Sequence, residues 1–240
     1  MVYLYAILIV SLIIFVHEFG HLIAARLVSI PVKTFSIGFG PRLAGFHWGG
    51  VDYRLSLIPL GGYIEPAIAS EDDLYAIPLW RRTVFTLAGV AANIVFAVLA
   101  LCAYRMLGQD LPFVSAMMMA AENSFRFMFL VAGSIPSLLT SGGELAGLIG
   151  IVRQGGEFIG KQYLQIFNYA GILSLNLAVI NLLPLPVFDG GKVMFYLIEK
   201  MVPPVRKLSG TLAIAGWMVI LGLTVYATSN DIAQIGRAHV

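Results

Sequence analysis

Phe15-Val16-His17-Glu18-Phe19-Gly20-His21 is a His-Glu-x-x-His stretch set inside an apolar run. No charged residue precedes it from Met1 onward, and Leu22 to Ala25 stay apolar before Arg26 arrives. On a helix, His17 and His21 stand four apart and project from one face. That spacing offers two imidazole nitrogens to one zinc ion, with Glu18 beside them as a general base. Ionisable side chains in a segment long enough to cross a bilayer are costly, so they mark function by default. The same cost argues against a chance match, which is common in soluble chains.

The composition agrees with a membrane setting. Of 240 residues, 59% are hydrophobic and 12% charged, with a mean hydropathy of +0.87. A soluble domain carries about 25% charged residues. No basic run is interleaved with aromatics, which excludes a nucleic-acid partner. The single cysteine, Cys102, lies in an apolar segment and reads as a buried, inert thiol. The N-terminus lacks the basic region of a cleavable signal peptide. Residues 235–240 (IGRAHV) resemble the translation of a sequencing adaptor, so a non-native tail is expected there and His239 is left out of the ligand set.

Working outward, the first span is expected over residues 2–27. A loop follows whose residues 33–62 carry alternating patterns. Val51, Tyr53, Leu55 and Leu57 alternate with Asp52, Arg54 and Ser56, so strands with one apolar face are expected. Pro59 and Gly61-Gly62 read as the end of the second strand, and 45–50 as the turn. Glu71-Asp72-Asp73 reads as a solvated loop. A second span is expected over 83–107, in which Gly89 and Asn93 share a face suited to close helix packing. Residues 123–140, interrupted by Arg126, Gly133 and Pro136, read as an interfacial or re-entrant helix, and 144–156 as a glycine-rich loop. Further spans are expected over 163–183 and 208–228.

The fold class is therefore an all-α polytopic membrane protein. It has about four transmembrane helices, a membrane-associated β-hairpin loop and an interfacial helix, in one domain over 1–234. The loops after the first and third spans hold Lys33, Arg42, Arg54, Arg81 and Arg82, and Lys192, Lys200, Arg206 and Lys207. The segment on the other side holds Arg126, Arg153 and Lys161. The positive-inside rule then directs those loops, and the polar motifs beside them, towards the cytoplasm, with the termini opposite.

Two histidines leave a catalytic zinc site one protein ligand short. His47 is one candidate, though an isolated loop histidine is usually only solvated. Asp189 is the better one. It follows Pro184-Leu185-Pro186, which end a helix, and precedes Gly190-Gly191, which let the backbone turn. Helical substrates shield their amides until they unwind. A strand from the 34–60 loop, with Phe35 and Tyr53 on it, could pair with the unwound stretch, unless the loop is a plain structural hairpin. Asn181 could hydrogen-bond that stretch or an oxyanion.

These motifs together resemble the bacterial site-2 proteases, in the regulator-of-sigma-E protease branch. The matching stretches are His17 to His21, Phe35-Ser36-Ile37-Gly38-Phe39-Gly40, Ile58 to Tyr63, Ala88-Gly89 with Ala92-Asn93, and Asn176 to Gly191. The resemblance implies an intramembrane zinc metalloprotease of the bacterial cytoplasmic membrane. His17, His21 and Asp189 would be its zinc ligands, Glu18 its catalytic glutamate and Asn181 a substrate contact. Its substrates would be single-pass membrane proteins or signal-peptide remnants. Relatives in the branch usually carry PDZ domains between the second and third spans. Residues 108–160 are too few to hold one, so no PDZ-mediated partner is expected. A catalytically inactive, substrate-holding relative is the alternative, but such a chain would be expected to lose Glu18 or a ligand. A metal transporter would show inverted repeats, and none is found.

Overall fold

A computed structural model describes residues 2–140, 147–160 and 162–237. Helix α1 (Val2–Leu27) leads into two long strands, β1 (Val32–Trp48) and β2 (Val51–Pro66). Then come α2 (Glu71–Ala76), α3 (Leu79–Gln109), α4 (Phe113–Thr140), α5 (Leu148–Ile159), α6 (Gln165–Asn181) and α7 (Asp189–Met201). A 3₁₀ turn over Pro203–Leu208 precedes α8 (Ser209–Arg237). The tail reading falls partly on residues 238–240, with His239, outside the described residues.

Three helical stretches among the described residues are long and apolar enough to cross a membrane: Tyr3–Leu27, Leu79–Gln109 and Pro203–Asp231. They coincide with the expected first, second and fourth spans, and the expected third span is the shorter helix α6. At 1.5 Å per residue, the 17 residues of α6 reach about 26 Å, short of the roughly 30 Å hydrocarbon layer. The helix buries Tyr169, Ala170, Gly171, Ser174, Leu175, Ala178 and Val179 in the interior. The candidate crossing window of α8 has no buried residues, and Leu221, Val225 and Tyr226 lie bare as lipid-facing side chains do.

Helix α3 is the central post, packed by α1, α4, α6 and α7. Small residues set its contacts. A Cβ on Gly20 of α1 would strike the Ala88 carbonyl and Ala92, and one on Gly171 of α6 would strike Leu101. Such close approach is how helices associate in lipid, where apolar burial alone supplies little drive. Helix α4 begins at Phe113, ten residues before the interfacial helix was expected, and runs through Pro136. It meets α3 through Ala116 and Ala120, which pack on the buried Cys102.

Residues 148–156 are helical rather than a loop. The glycines there are contact glycines: Gly155 receives the ring of Tyr169 and Gly156 the ring of Tyr3, with no room for a Cβ. The Tyr169 hydroxyl donates to the Ile151 carbonyl at 2.9 Å. This seals a core of Ala6, Ile9, Ile13, Ile159, Tyr169 and Ala170 between α1, α5 and α6.

The β-loop is larger than the expected hairpin. Gly49 and Gly50, at φ +57° and +80°, make the turn between strands paired antiparallel. Strand β2 does not stop at Pro59 but continues to Pro66. Gly38 and Gly40, both at φ +89°, let β1 fold back, a conformation side chains resist. As a result Thr34–Ile37 has partners on both sides, Asp52–Leu55 and Gly62–Glu65. The sheet is tied to α1 by Leu22, Phe35 and Val51, packed with Phe15 and Tyr53.

Candidate metal centre

Helix α1 carries His17 and His21 into the contact with α3. The two rings stand at 89° with centroids 4.7 Å apart, and their Nε2 atoms are 3.2 Å apart. Asp189 arrives from the opposite side as the first residue of α7. The chain leaves α6 at Asn181 and turns through Pro184 and Pro186. A Cβ on Gly190 would overlap the Leu182 carbonyl, and one on Gly191 the Leu185 carbonyl. The two glycines thus let α7 start hard against the turn, and this fixes where Asp189 points.

Asp189 Oδ2 lies 3.2 Å from His17 Nε2 and 3.3 Å from His21 Nε2. The three ligand atoms are all within 4.8 Å of one another, and the residues are 6%, 7% and 3% exposed. Asp189 Oδ2 is buried and accepts no well-directed hydrogen bond. A buried carboxylate oxygen left that way is destabilising unless something else completes it. Two imidazole nitrogens and one carboxylate oxygen, convergent and otherwise unsatisfied, fit a zinc ion with a coordination position to spare. The other oxygen, Oδ1, accepts from Lys192 Nζ at 3.1 Å. Burial pushes the Asp189 carboxyl up, but the charge of Lys192 at Oδ1 works against it, and the carboxyl stays below the usual carboxylate range.

The outer groups fix the histidine tautomers. His21 Nδ1 lies 2.8 Å from the Phe85 carbonyl. A carbonyl only accepts, so Nδ1 carries the proton and Nε2 keeps its lone pair for a metal. His17 Nδ1 faces the side-chain amide of Asn93, which is fully buried on α3. Turned end for end, that amide sets Oδ1, otherwise without a partner, against the His17 Nδ1–H. Ser174 Oγ holds the Asn93 carbonyl at 2.9 Å. Gly89, one turn earlier, must lack a side chain: a Cβ there would enter both imidazole rings. The face of α3 read as helix packing is thus the wall of the metal centre.

A cavity of about 540 Å³ opens beside these residues, lined by Glu18, Asn181, Lys192, Tyr63 and Phe39 among others. Glu18 is half-buried there, and its Cγ would lie 2.8 Å from a Cβ on Gly62. Asn181 lines the same cavity and donates through Nδ2 to the Leu177 carbonyl at 3.0 Å. Phe35 and Tyr53 do not line it. Phe35 is 4% exposed inside a segment paired on both sides, and Tyr53 stacks on Phe46 and accepts from Arg26 at 2.6 Å. The sheet segment at the cavity is Gly62–Glu65, whose outer edge pairs with no strand among the described residues. His47 lies elsewhere in the sheet, 3.3 Å from Asp52.

Reading Gly61-Gly62 as a terminator hid that edge. Lys192 was missed because its role depends on α7 being a helix, which stacks residue 192 on residue 189. The acidic residue at the first position of an amphipathic stretch was the available signal.

The family model described as peptidase family M50 matches residues 5–224. Protein Cj1068 of Campylobacter jejuni, provisionally named a zinc metalloprotease, is 24% identical over 346 aligned positions, covering 97% of this chain and 94% of its own length. A protein of Agrobacterium fabrum with the same provisional naming, Atu1380, is 27% identical over 95% of each chain. The chloroplastic membrane metalloprotease ARASP of Arabidopsis thaliana is 42% identical over 101 residues, 38% of this chain and 23% of its own. An alignment of 346 positions to 240 residues leaves more than a hundred positions of Cj1068 without a counterpart here.

Proposed function

The chain belongs to peptidase family M50, and from that premise we propose that it is a zinc-dependent intramembrane endopeptidase. Its substrates are the transmembrane segments of single-pass proteins or signal-peptide remnants. The observation that carries this reading is the convergence of Asp189 on His17 and His21, which lie with Glu18 in an apolar helix long enough to cross a membrane.

Zinc held by His17, His21 and Asp189 would supply Lewis acidity and an activated water. Glu18, in the same cavity, takes a proton during attack on the peptide carbonyl and returns it to the leaving nitrogen. Asn181 and Lys192 line the cavity as donors: Asn181 for the substrate backbone or an oxyanion, Lys192 to hold Asp189 Oδ1 and leave Oδ2 for the metal. A helical substrate must unwind before its amides can be reached. The free edge at Gly62–Glu65 is the segment we assign to receive the unwound strand, in place of Phe35 and Tyr53.

The resemblance to the regulator-of-sigma-E branch supports a site in the bacterial cytoplasmic membrane. The Lys and Arg of the loops around the sheet and α7 support a cytoplasmic-facing centre with the termini opposite.

The test is Glu18→Gln, assayed on a labelled transmembrane substrate with zinc measured in the same preparation. Cleavage is expected to fall by roughly 10²–10⁴-fold with zinc retained. Cleavage at the wild-type rate would sink the proposal.

A further inference from the structure

A second cavity, of about 790 Å³, lies away from the metal centre. Two candidate membrane-crossing stretches begin at its walls, one at Leu79 and the other at Pro203. Its rim carries Tyr75, Trp80, Arg82, Glu199, Lys200 and Arg206. Trp80 is 58% exposed, in the manner of aromatic side chains seated at a headgroup layer.

The charges in this cavity do not balance. Glu199 is buried and is the partner of two guanidiniums: Arg82 Nη2 donates to Oε2 at 3.2 Å and Arg206 Nε to Oε1 at 2.6 Å. One carboxylate thus serves two cations, and Lys200 adds a third, exposed one. Arg82 is 4% exposed, and its guanidinium lies over the rings of Tyr75 and Tyr196, 5.1 and 4.8 Å away. Its Nε is taken by the Ile77 carbonyl at 3.1 Å, but its Nη1 has no hydrogen-bond partner. A buried guanidinium donor without an acceptor is costly. No side chain caps the first turn of α3, which begins in the same wall. Helix start, orphaned donor and excess positive charge all favour an anion with several acceptor oxygens.

We propose that this cavity seats the phosphate of an anionic phospholipid headgroup. Arg82 supplies a donor fixed in place by two rings and Glu199. Arg206, partly exposed, and Lys200, exposed, close over the phosphate from the water side, and Trp80 lies against the glycerol level of the lipid. Basic side chains at this depth attract anionic lipid, each contributing independently.

The test uses the purified full chain in detergent and native mass spectrometry. Phosphatidylglycerol and phosphatidylcholine of equal chain length are titrated separately, and inorganic phosphate is titrated against the phosphatidylglycerol-bound protein. Phosphatidylglycerol is expected to bind at least about tenfold more tightly than phosphatidylcholine. Arg206→Gln with Lys200→Gln should remove that preference, while Lys207→Gln, outside the cavity, should keep it. Zinc content and melting temperature verify that the double variant is folded. If it is not, Lys200→Gln alone must lower the preference by a smaller step. Equal binding of the two lipids, or an unchanged preference in the variants, overturns the proposal. Full displacement of phosphatidylglycerol by equimolar inorganic phosphate would make the cavity a soluble-anion site and overturn the lipid assignment.

Discussion

Two carboxylates in this molecule have nearly the same surroundings on paper. Asp189 has one oxygen held by a cation, Lys192, and another facing two nitrogens at 3.2 and 3.3 Å. Asp52 in the sheet has one oxygen held by Arg54 and another facing Arg42 Nη1 at 3.2 Å and His47 Nε2 at 3.3 Å. Both carboxylates are buried, and in both the second oxygen accepts no well-directed hydrogen bond. The difference lies in the nitrogens. Arg42 is a fixed cation without a lone pair, so the Asp52 cluster is an ion-pair network that is already neutralised. His17 and His21 each present a lone pair, and both rings are buried while His47 is 71% exposed. Three convergent lone-pair donors need a cation from outside, whereas two donors and two arginines do not. Distance and burial of an aspartate do not make a metal site; the chemistry of the atoms facing it does.

The strongest way to break this comparison is at the carboxylates. Asp189→Asn is expected to abolish zinc retention and lower cleavage by roughly 10³-fold or more, as loss of a ligand from a three-ligand site should. Asp52→Asn is expected to leave zinc content unchanged. Zinc analysis and the cleavage assay, run side by side, decide it, and equal zinc loss in both variants would erase the distinction.

Next in size is the wall contributed by α3. Asn93→Ala should weaken zinc binding by about 10–100-fold, measured by chelator competition, because His17 loses the acceptor that orients it. Asn93→Asp keeps an acceptor and should retain zinc better than the alanine variant. If alanine proves the better of the two, the end-for-end assignment of the amide is wrong. Gly89→Ala should lower stability by about 1–3 kcal/mol through overpacking against both imidazoles, seen as a lower melting temperature.

The edge strand comes after these. Tyr63→Pro should slow cleavage of a helical substrate several-fold more than cleavage of a flexible peptide, since proline removes a ladder donor. Equal slowing of both would remove the unwinding role. The smallest effect is at the outer cluster: His47→Ala should keep zinc content and cleavage within about twofold of wild type.

The metal pair was legible because its period is local: two histidines four apart on one helix face need nothing distant to be recognised. Asp189 was legible through its neighbours, since prolines and glycines around a carboxylate announce a chain turned on purpose. Asn93 and Gly89 could be placed on one face of α3, but nothing nearby in sequence says that His17 and His21 are what that face meets. Gly155 and Gly156 misled for the opposite reason. Glycine lowers helix propensity, yet here the tyrosine rings packed on it outweigh that local term. The sheet was misjudged at Gly61, where φ of +143° carries the strand past the ring of Phe39 instead of ending it.

By itself the sequence determined that this is a membrane protein with a two-histidine, one-glutamate centre, because burial of polar groups in apolar helices leaves a pattern readable along the chain. It also determined the residue types available to complete that centre. Only the tertiary structure decided that Asp189 reaches both imidazoles, which tautomer each histidine takes, and which strand edge faces Glu18. Those depend on contacts across 64 to 172 positions of the chain, between His21 and Phe85 and between His17 and Asp189. No local period encodes such contacts; the packing of α1, α3 and α7 around small residues makes them.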